Sequence, residues 1–337
     1  MIPRIDIAPL FSGPSRERDQ VDASIIAAAG GSGFMTIRGL PASTPIRAEA
    51  RRALLRLFDL PQSATRQLWR QKFDPAHRNV YRGWFPLQNG AETYKEGIDI
   101  GPDIAHGGTQ VDETDPLREA TPLPPEAALP GWRTDAARYF LAMERIAQAL
   151  MHALARGLGL PEGAFDDTFA GGISTLRLIR YPARPADSMA GIPEERLWIN
   201  DGGRRRYMLG RAHVDSGLMT LLAQDGVAGL QARAASGEWI DVAPEEATLA
   251  VNFGKLLERW TGGRIRATEH RVLGHGEERF SVPFFYDARA DAVIGPLPIA
   301  GAEPFEPFYF GDYLWSTMTK FVEFHGLEGL RRPQGRP

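Results

Sequence analysis

The stretch GRAHVDSGLMTLL, residues 210–222, decides the fold that this sequence predicts. It combines apolar with β-forming residues, and one residue separates a histidine, His213, from a carboxylate, Asp215. Residues i and i+2 of a strand point to the same face. A strand that reaches this point, or bends just after it, therefore aims both side chains at one location.

Short β-runs of the same kind continue through the second half of the chain. Glycine, aspartate and proline clusters separate them at roughly the 8–12-residue intervals that are typical of an all-β sandwich or barrel. No βαβ alternation is present, and helical periodicity is confined to 16–29, 45–58, 134–158 and 308–325. The predicted fold is mainly β with helices (α+β), a double-stranded β-helix or cupin-like jelly roll backed by α-helices. The β-runs are 174–181, 210–213, 218–223, 229–232, 238–242, 248–253, 269–272 and 281–285.

A second histidine, His270, completes a candidate metal site with His213 and Asp215. Two imidazoles and one carboxylate form the triad that holds non-haem Fe(II) and leaves positions open for substrate and O2. His275 is the alternative to His270, but glycines flank it in what reads as a hairpin tip, so we favour His270.

An arginine and a serine begin the next β-run. The guanidinium of Arg279 is a planar fork that suits a carboxylate, and Ser281 lies on the same side of the strand. The pair can hold the far carboxylate of a 2-oxo acid whose other end chelates the metal.

With these motifs in place, the chain resembles the isopenicillin N synthase-like branch of the Fe(II)- and 2-oxoglutarate-dependent oxygenases. The resemblance rests on IPRID at 2–6, GFMTIRGL at 33–40 and LIRYP at 178–182, in addition to the metal and Arg-x-Ser positions. It implies an enzyme that couples oxidative decarboxylation of 2-oxoglutarate, to succinate and CO2, to oxidation of a small molecule by O2. Hydroxylation, desaturation, cyclisation and ethylene formation all remain open at this stage.

The resemblance also implies further site residues. Tyr181 is a candidate to hydrogen-bond the carboxylate of the cosubstrate or the substrate. Residues 74–112 place aromatic side chains beside charges, and in the family this region crosses the mouth of the barrel. The expected substrate-binding residues are Tyr81, Lys95, Glu96, Asp99 and Phe253.

Three alternatives stay open. Many 2-oxoglutarate-using relatives have asparagine where this chain has Ile179, and LIRYP looks like isopenicillin N synthase itself, an Fe(II) oxidase that uses O2 without an oxo acid. A zinc hydrolase can use the same three ligands. A metal-free binding module is the third alternative, because fold alone does not determine function.

Composition limits the partners and the compartment. Of 337 residues, 42 are acidic and 39 basic. The net charge of −3 therefore does not indicate binding to nucleic acid or to an anionic membrane. The dense basic run at 204–206 is interpreted as a solvated loop tip. With no cysteine, no signal peptide and no apolar run long enough for a membrane span, we expect a cytoplasmic enzyme with a small-molecule substrate. Oligomeric state is not predicted.

We expect one integrated domain with four parts. Residues 1–110 form an N-terminal region with the pocket segment, and 111–172 a connector followed by a long scaffold helix. Residues 173–300 form the jelly-roll core, and 301–337 a final helix with a frayed tail.

Overall fold

The computed structural model of the chain describes residues 1–274, 276–321 and 324–337. His275, the alternative metal ligand, lies outside the described residues. The strands are β1 Arg4–Asp6, β2 Phe34–Arg38, β3 Gly83–Phe85, β4 Glu96–Ile100, β5 Thr175–Tyr181, β6 Trp198–Asp201, β7 Arg204–His213, β8 Met219–Gln224, β9 Leu230–Arg233, β10 Trp239–Asp241, β11 Leu249–Phe253, β12 His270–Gly274, β13 Arg279–Tyr286, β14 Val293–Ile294 and β15 Phe308–Tyr309. The helices are α1 Arg16–Gly31, α2 Ala48–Leu55, α3 Gln62–Thr65, α4 Asp103–His106, α5 Trp132–Gly157, α6 Asp166–Phe169, α7 Glu194–Leu197, α8 Lys255–Trp260 and α9 Phe310–Met318.

Two antiparallel sheets form the centre of the molecule. The large sheet has the order β1-β2-β11-β8-β13-β5-β4-β3, with β1 and β2 parallel, and the small sheet has the order β10-β9-β12-β7-β6. β14 and β15 pair separately. Sheet neighbours are therefore mostly strands that are distant in sequence, as in a jelly roll, and the predicted fold class is confirmed.

Side chains alternate along the strands, so the two faces of the large sheet carry different sets of residues. Ile179 and Tyr181 of β5 pack with Tyr207 and Leu209 of β7, which belongs to the small sheet, so these side chains fill the space between the sheets. Residues of opposite phase, such as Phe284 of β13, lie in the main core beneath the helices. We call the space between the sheets the barrel interior.

Helix α5 is the scaffold that covers the outer face of the large sheet. Its apolar residues recur at i, i+3 and i+4, and Met143, Ile146, Ala147 and Leu150 are fully buried. Burying a side chain such as that of Leu150 contributes about 1.5–3 kcal/mol. The long helix predicted at 134–158 is present with nearly the expected bounds.

Three local expectations are corrected. The basic run at 204–206 begins strand β7 rather than forming a loop tip, since the turn lies at Gly202 and Gly203. The last predicted helix is shorter, because α9 ends at Met318. The tail is not frayed at Arg331, whose buried guanidinium bonds Asp115 at 2.8 Å and Asp312 at 2.6 Å.

Within the described ranges, no helix is both long enough and apolar enough to cross a membrane.

Candidate metal and cosubstrate site

The two candidate histidine ligands face each other across the small sheet. His213 is the last residue of β7 and His270 the first of β12, and the antiparallel register pairs them directly. Their ring centroids are 4.3 Å apart. The side chain of His213 is 43% exposed and that of His270 only 10%, so the open side of the pair is the His213 side.

Asp215 follows β7 and turns back toward this pair. Its Oδ1 lies 3.5 Å from His213 Nε2 and 3.7 Å from His270 Nε2. The three ligand atoms all lie within 4.8 Å of one another. The backbone of this loop is anchored by a hydrogen bond from Lys255 N to Asp215 O and by one from the Tyr313 hydroxyl to Ser216 O, each 2.8 Å long.

Backbone carbonyls determine which imidazole nitrogen is available. His213 Nδ1 donates to Arg211 O at 2.8 Å, and His270 Nδ1 donates to Thr268 O at 3.2 Å. Since a carbonyl can only accept, Nδ1 carries the proton and the lone pair of Nε2 is directed at the cluster. Both rings therefore have the tautomer that a metal requires.

Two residues hold the second oxygen of Asp215, and sequence reasoning missed both. Oδ2 accepts hydrogen bonds from Thr220 Oγ1 on β8 and from Asn252 Nδ2 on β11, each 2.7 Å long. Oδ1 is thereby left to the metal. The only sequence signal for Asn252 is a polar residue within the apolar run LAVNF at 249–253.

The charges in the cluster act on one another. Burial alone raises the pKa of the Asp215 carboxyl, but the charge of His270 and the hydrogen bonds and charge from His213 and Asn252 hold it well below its usual range. Burial lowers the pKa of His270. Burial also acts to lower the pKa of His213, but the Asp215 carboxylate outweighs it and raises that pKa, while nearby Lys95 opposes the rise.

This donor set fits Fe(II). Two neutral imidazoles and one ionised carboxylate on one side of a cation leave its remaining positions free, as in the 2-His-1-carboxylate proteins. A structural zinc site would instead use four protein ligands, and the described residues contain no fourth candidate here.

Loss of the Asn252 amide is expected to weaken Fe(II) binding while leaving all three ligands in place. Removing a group that orients a ligand typically costs 10–100-fold in metal affinity, so we expect about that increase in Kd for Asn252→Ala, measured by anaerobic calorimetry. Thr220→Val tests the other hydrogen bond. Asn200→Ala, at an exposed position on β6, is the matched control; equal affinities in Asn252→Ala and the control would contradict the role.

At a distance from the metal cluster, Arg279 is buried without a hydrogen-bond partner. It is 0% exposed, and Nε, Nη1 and Nη2 all lack a partner among the described residues. Its guanidinium lies 5.6 Å from the ring of Tyr181, its register partner on β5. Ser281 is on the same face of β13, toward the barrel interior. A buried guanidinium beside a hydroxyl and a phenol fits a ligand carboxylate.

The other three predicted substrate-binding residues are Asp99, Lys95 and Tyr81. Asp99 is fully buried between Arg177, bonded at 2.5 and 2.8 Å, and Arg70. Lys95 is near enough to His213 to influence its pKa. Tyr81 is buried, with its ring against Phe324 at 5.4 Å.

Two predicted substrate-binding residues are on the wrong face of the large sheet, and both predictions are corrected. Phe253 is 0% exposed in the helix-covered core, because its neighbour Asn252 takes the inward position. Glu96 lies opposite Arg180 in the register and bonds it at 3.3 Å, on the same face as Ile98 of the main core. Neither side chain faces the barrel interior.

Comparison with known proteins agrees with this site. Residues 2–126 match the family model of the non-haem dioxygenase N-terminal domain named for morphine synthesis, and residues 175–288 match that of the 2OG-Fe(II) oxygenase superfamily. The 2-oxoglutarate-Fe(II) type oxidoreductase hxnY of Emericella nidulans is 30% identical over 319 residues, 90% of this chain and 85% of that protein. Isopenicillin N synthase of Streptomyces clavuligerus is 27% identical over 336 residues, 98% of this chain and 95% of that protein.

Solved structures show the same fold. A full-length protein of Neurospora crassa, crystallised in complex with α-ketoglutarate and thymine, superposes with a TM-score of 0.77 at 23% identity, over 95% of this chain and 97% of that one. A 2OG-Fe(II) oxygenase family protein of Caulobacter crescentus gives 0.73 at 21% identity, over 95% and 99%.

The chain belongs to the 2-oxoglutarate/Fe(II) oxygenase superfamily. It is an oxidoreductase whose cofactors are Fe(II) and 2-oxoglutarate, and the predicted family, enzyme class and cofactors are confirmed. This membership sets aside the zinc-hydrolase and binding-module alternatives.

Proposed function

We propose that this chain binds Fe(II) through His213 Nε2, Asp215 Oδ1 and His270 Nε2, and that Arg279 holds the distal carboxylate of 2-oxoglutarate. Ser281 and Tyr181 add hydrogen bonds to the same carboxylate. Fe(II) and 2-oxoglutarate supply oxidative decarboxylation, to succinate and CO2, which is coupled to hydroxylation, desaturation or a related oxidation of a small molecule.

The unpartnered guanidinium of Arg279 is the observation that carries the proposal. Leaving a charge buried without a partner costs about 3–5 kcal/mol, so a fully buried arginine with three unused nitrogens indicates an anionic ligand in the functional protein. The carboxylate of a 2-oxo acid matches the fork bidentately. The aliphatic part of the ligand would lie against Leu209 and Ile179 of the barrel interior.

The protein's own contribution is positioning and shielding. The carbonyls of Arg211 and Thr268 keep Nε2 of each histidine deprotonated, and Asn252 with Thr220 keeps Asp215 Oδ1 directed inward. Burial of His270 protects one side of the site from water, while the exposed edge of His213 is where substrate approaches.

A small-molecule substrate is consistent with the names of the relatives. The Neurospora crassa protein was solved with thymine, and a rice protein that is 29% identical over 339 residues, 95% of this chain and 98% of that one, is named homoarginine-6-hydroxylase. We infer a substrate of comparable size, which approaches the site past the exposed edge of His213.

The test is an anaerobic Fe(II) titration with and without 2-oxoglutarate. We expect one Fe(II) per chain, and on addition of the oxo acid a weak visible charge-transfer band of the chelate. Glutarate, which has the distal carboxylate but no 2-oxo group, is the matched control and should compete without producing the band.

The outcomes of the titration distinguish the proposed function from its alternatives. Fe(II) binding with no band would favour the oxidase alternative, which the similarity to isopenicillin N synthase over 98% of the chain supports. Absence of Fe(II) binding would overturn the ligand assignment.

A further inference from the structure

The carboxyl group of Asp287 is buried and takes no part in the roles proposed above. The residue is 4% exposed and follows directly after β13. Its backbone N donates to Ser174 Oγ at 3.1 Å, but no hydrogen bond from a described residue ends on its carboxyl oxygens. Burying a carboxylate without hydrogen-bond donors destabilises the folded protein. Either a ligand therefore donates to this group, or the protein carries the desolvation penalty.

Asp287 adjoins the loop that carries the candidate metal ligand Asp215. A Cβ atom added to Gly217 would lie 3.1 Å from Asp287 Oδ1, so the carboxyl packs against that loop. Continuing the alternation of β13, Asp287 has the phase of Phe285, whose register partner Thr220 bonds Asp215. The carboxyl is therefore on the barrel-interior side, beside the metal cluster.

Arg82, whose charge acts on this carboxyl, makes its hydrogen bonds elsewhere. Arg82 is also buried, but Nη1 donates to Thr175 Oγ1 at 2.5 Å and Nη2 to Ile173 O at 2.8 Å. Burial raises the pKa of Asp287 to about 7, against the lowering effect of the Arg82 charge. The charge of Asp215 contributes to the same rise.

The hydroxyl of Tyr81 belongs to the same region. Tyr81 is 4% exposed, and its hydroxyl makes no hydrogen bond to any described residue. Burial raises its pKa, and the guanidinium of Arg82, whose charge also acts on Asp287, lies 4.8 Å from its ring. A buried carboxyl group beside the metal loop and a buried hydroxyl in contact with the same arginine thus have no hydrogen-bond partners among the described residues.

We propose that Asp287 and Tyr81 form a substrate-binding subsite that takes a nitrogen group, an amine or amide whose N–H donates to the Asp287 carboxylate while Tyr81 bonds the adjoining polar atom. In its ionised form the Asp287 carboxyl only accepts, so a ligand that donates an N–H favours that form, and an N–H bond to a buried carboxylate is charge-assisted. The subsite rests on the proposed function, because it places the nitrogen group beside the metal loop. The substrate class is then small nitrogen-bearing molecules.

The experiment uses the full chain loaded anaerobically with Fe(II) and 2-oxoglutarate. Benzylamine, benzamide and methyl benzoate serve as probes, since they share a ring while only the first two carry an N–H donor. Each is titrated while the charge-transfer band is followed, because a molecule beside the metal perturbs that band. We expect the amine and the amide to shift the band and the ester to leave it unchanged.

Two substitutions separate hydrogen bonding from charge. Asp287→Leu removes the acceptor and should weaken binding of both N–H probes by about 10-fold or more. Asp287→Asn keeps one acceptor oxygen and should retain the amide while losing the amine. Tyr81→Phe, which removes only an oxygen, should weaken both probes. The matched control is Asp291→Asn, at an exposed position close by in sequence.

The outcomes keep the two proposals apart. Failure of the band to form in the wild type would count against the cosubstrate proposal alone. A normal band with no response to either N–H probe, equal responses to amide and ester, or unchanged affinities in Asp287→Leu would overturn the subsite. Formation of the band in each variant shows that the variant is folded.

Discussion

Replacement of Asp215 by alanine is expected to abolish Fe(II) binding and turnover. Asp215 supplies the only negative charge among the three candidate ligands, and its Oδ1 lies within 3.7 Å of both histidine nitrogens. Groups that merely orient a ligand are worth about 10–100-fold in affinity, so loss of the charged ligand itself should exceed that range. The measurement is anaerobic equilibrium dialysis followed by iron analysis.

The controls for this variant distinguish charge from shape. Asp215→Asn keeps the volume and the hydrogen-bonding capacity toward Thr220 but loses the charge, and it should bind Fe(II) only weakly. His152→Ala removes a histidine from another histidine–carboxylate pair, with Asp166 at 2.7 Å on the helical side, and should leave iron unaffected. Full iron stoichiometry in Asp215→Ala would exclude this residue as a ligand.

Replacement of Arg279 by alanine is expected to raise the KM for 2-oxoglutarate steeply without changing Fe(II) affinity. Truncating one partner of a buried, hydrogen-bonded charge pair costs about 2–5 kcal/mol, which corresponds to a roughly 30-fold or larger increase. Steady-state kinetics with varied 2-oxoglutarate measures this, and the charge-transfer band should weaken in parallel.

Stability offers an independent measurement on the same variant. Without cosubstrate the Arg279 guanidinium is buried and unpartnered among the described residues. Its removal relieves a desolvation penalty, which stabilises the fold, and leaves a cavity, which destabilises it, so the two effects on the free energy of unfolding offset each other. Added 2-oxoglutarate should raise the Tm of the wild type and not that of Arg279→Ala. Arg180→Ala, on the opposite face of β5 and paired with Glu278 at 2.8 Å, is the control. A cosubstrate-dependent Tm shift of wild-type size in Arg279→Ala would remove Arg279 from the proposed role.

The metal cluster could be predicted because it depends on local alternation and on motif order. One residue separates His213 from Asp215 at a strand end. The order in which His270 and Arg279 follow them reduces the number of protein classes that fit the motif. The fold followed from the same β-runs. Which strands become neighbours cannot be derived from alternation, because alternation says only which face of a strand is buried.

The substrate side was predicted less well, for a physical reason. Strand β11 is buried on both faces, so its sequence carries no alternation that tells Phe253 from Asn252. The prediction therefore places an aromatic residue in the pocket, whereas its polar neighbour Asn252 faces inward. The prediction for Glu96 is wrong for the same reason, because a shift of one residue along β4 changes the face of the sheet to which a side chain points.

Contacts between distant segments explain what was missed. Arg331 bonds Asp115 and Asp312, and no local sequence pattern predicts either partner. Asp287 reads in the sequence as an ordinary residue after a strand. Only the approach of Gly217 shows that its carboxyl adjoins the metal loop.

The direct pairing of His213 with His270 makes the iron site a check on strand register. A slip of one residue between β7 and β12 would turn His270 to the opposite face of the sheet, away from Asp215. The observed register shifts between His270 and Val272, so the pairing of His270 with His213 is offset from that of the rest of β12. A misaligned chain would be unable to retain iron, and metal content therefore reports how accurately the small sheet has assembled.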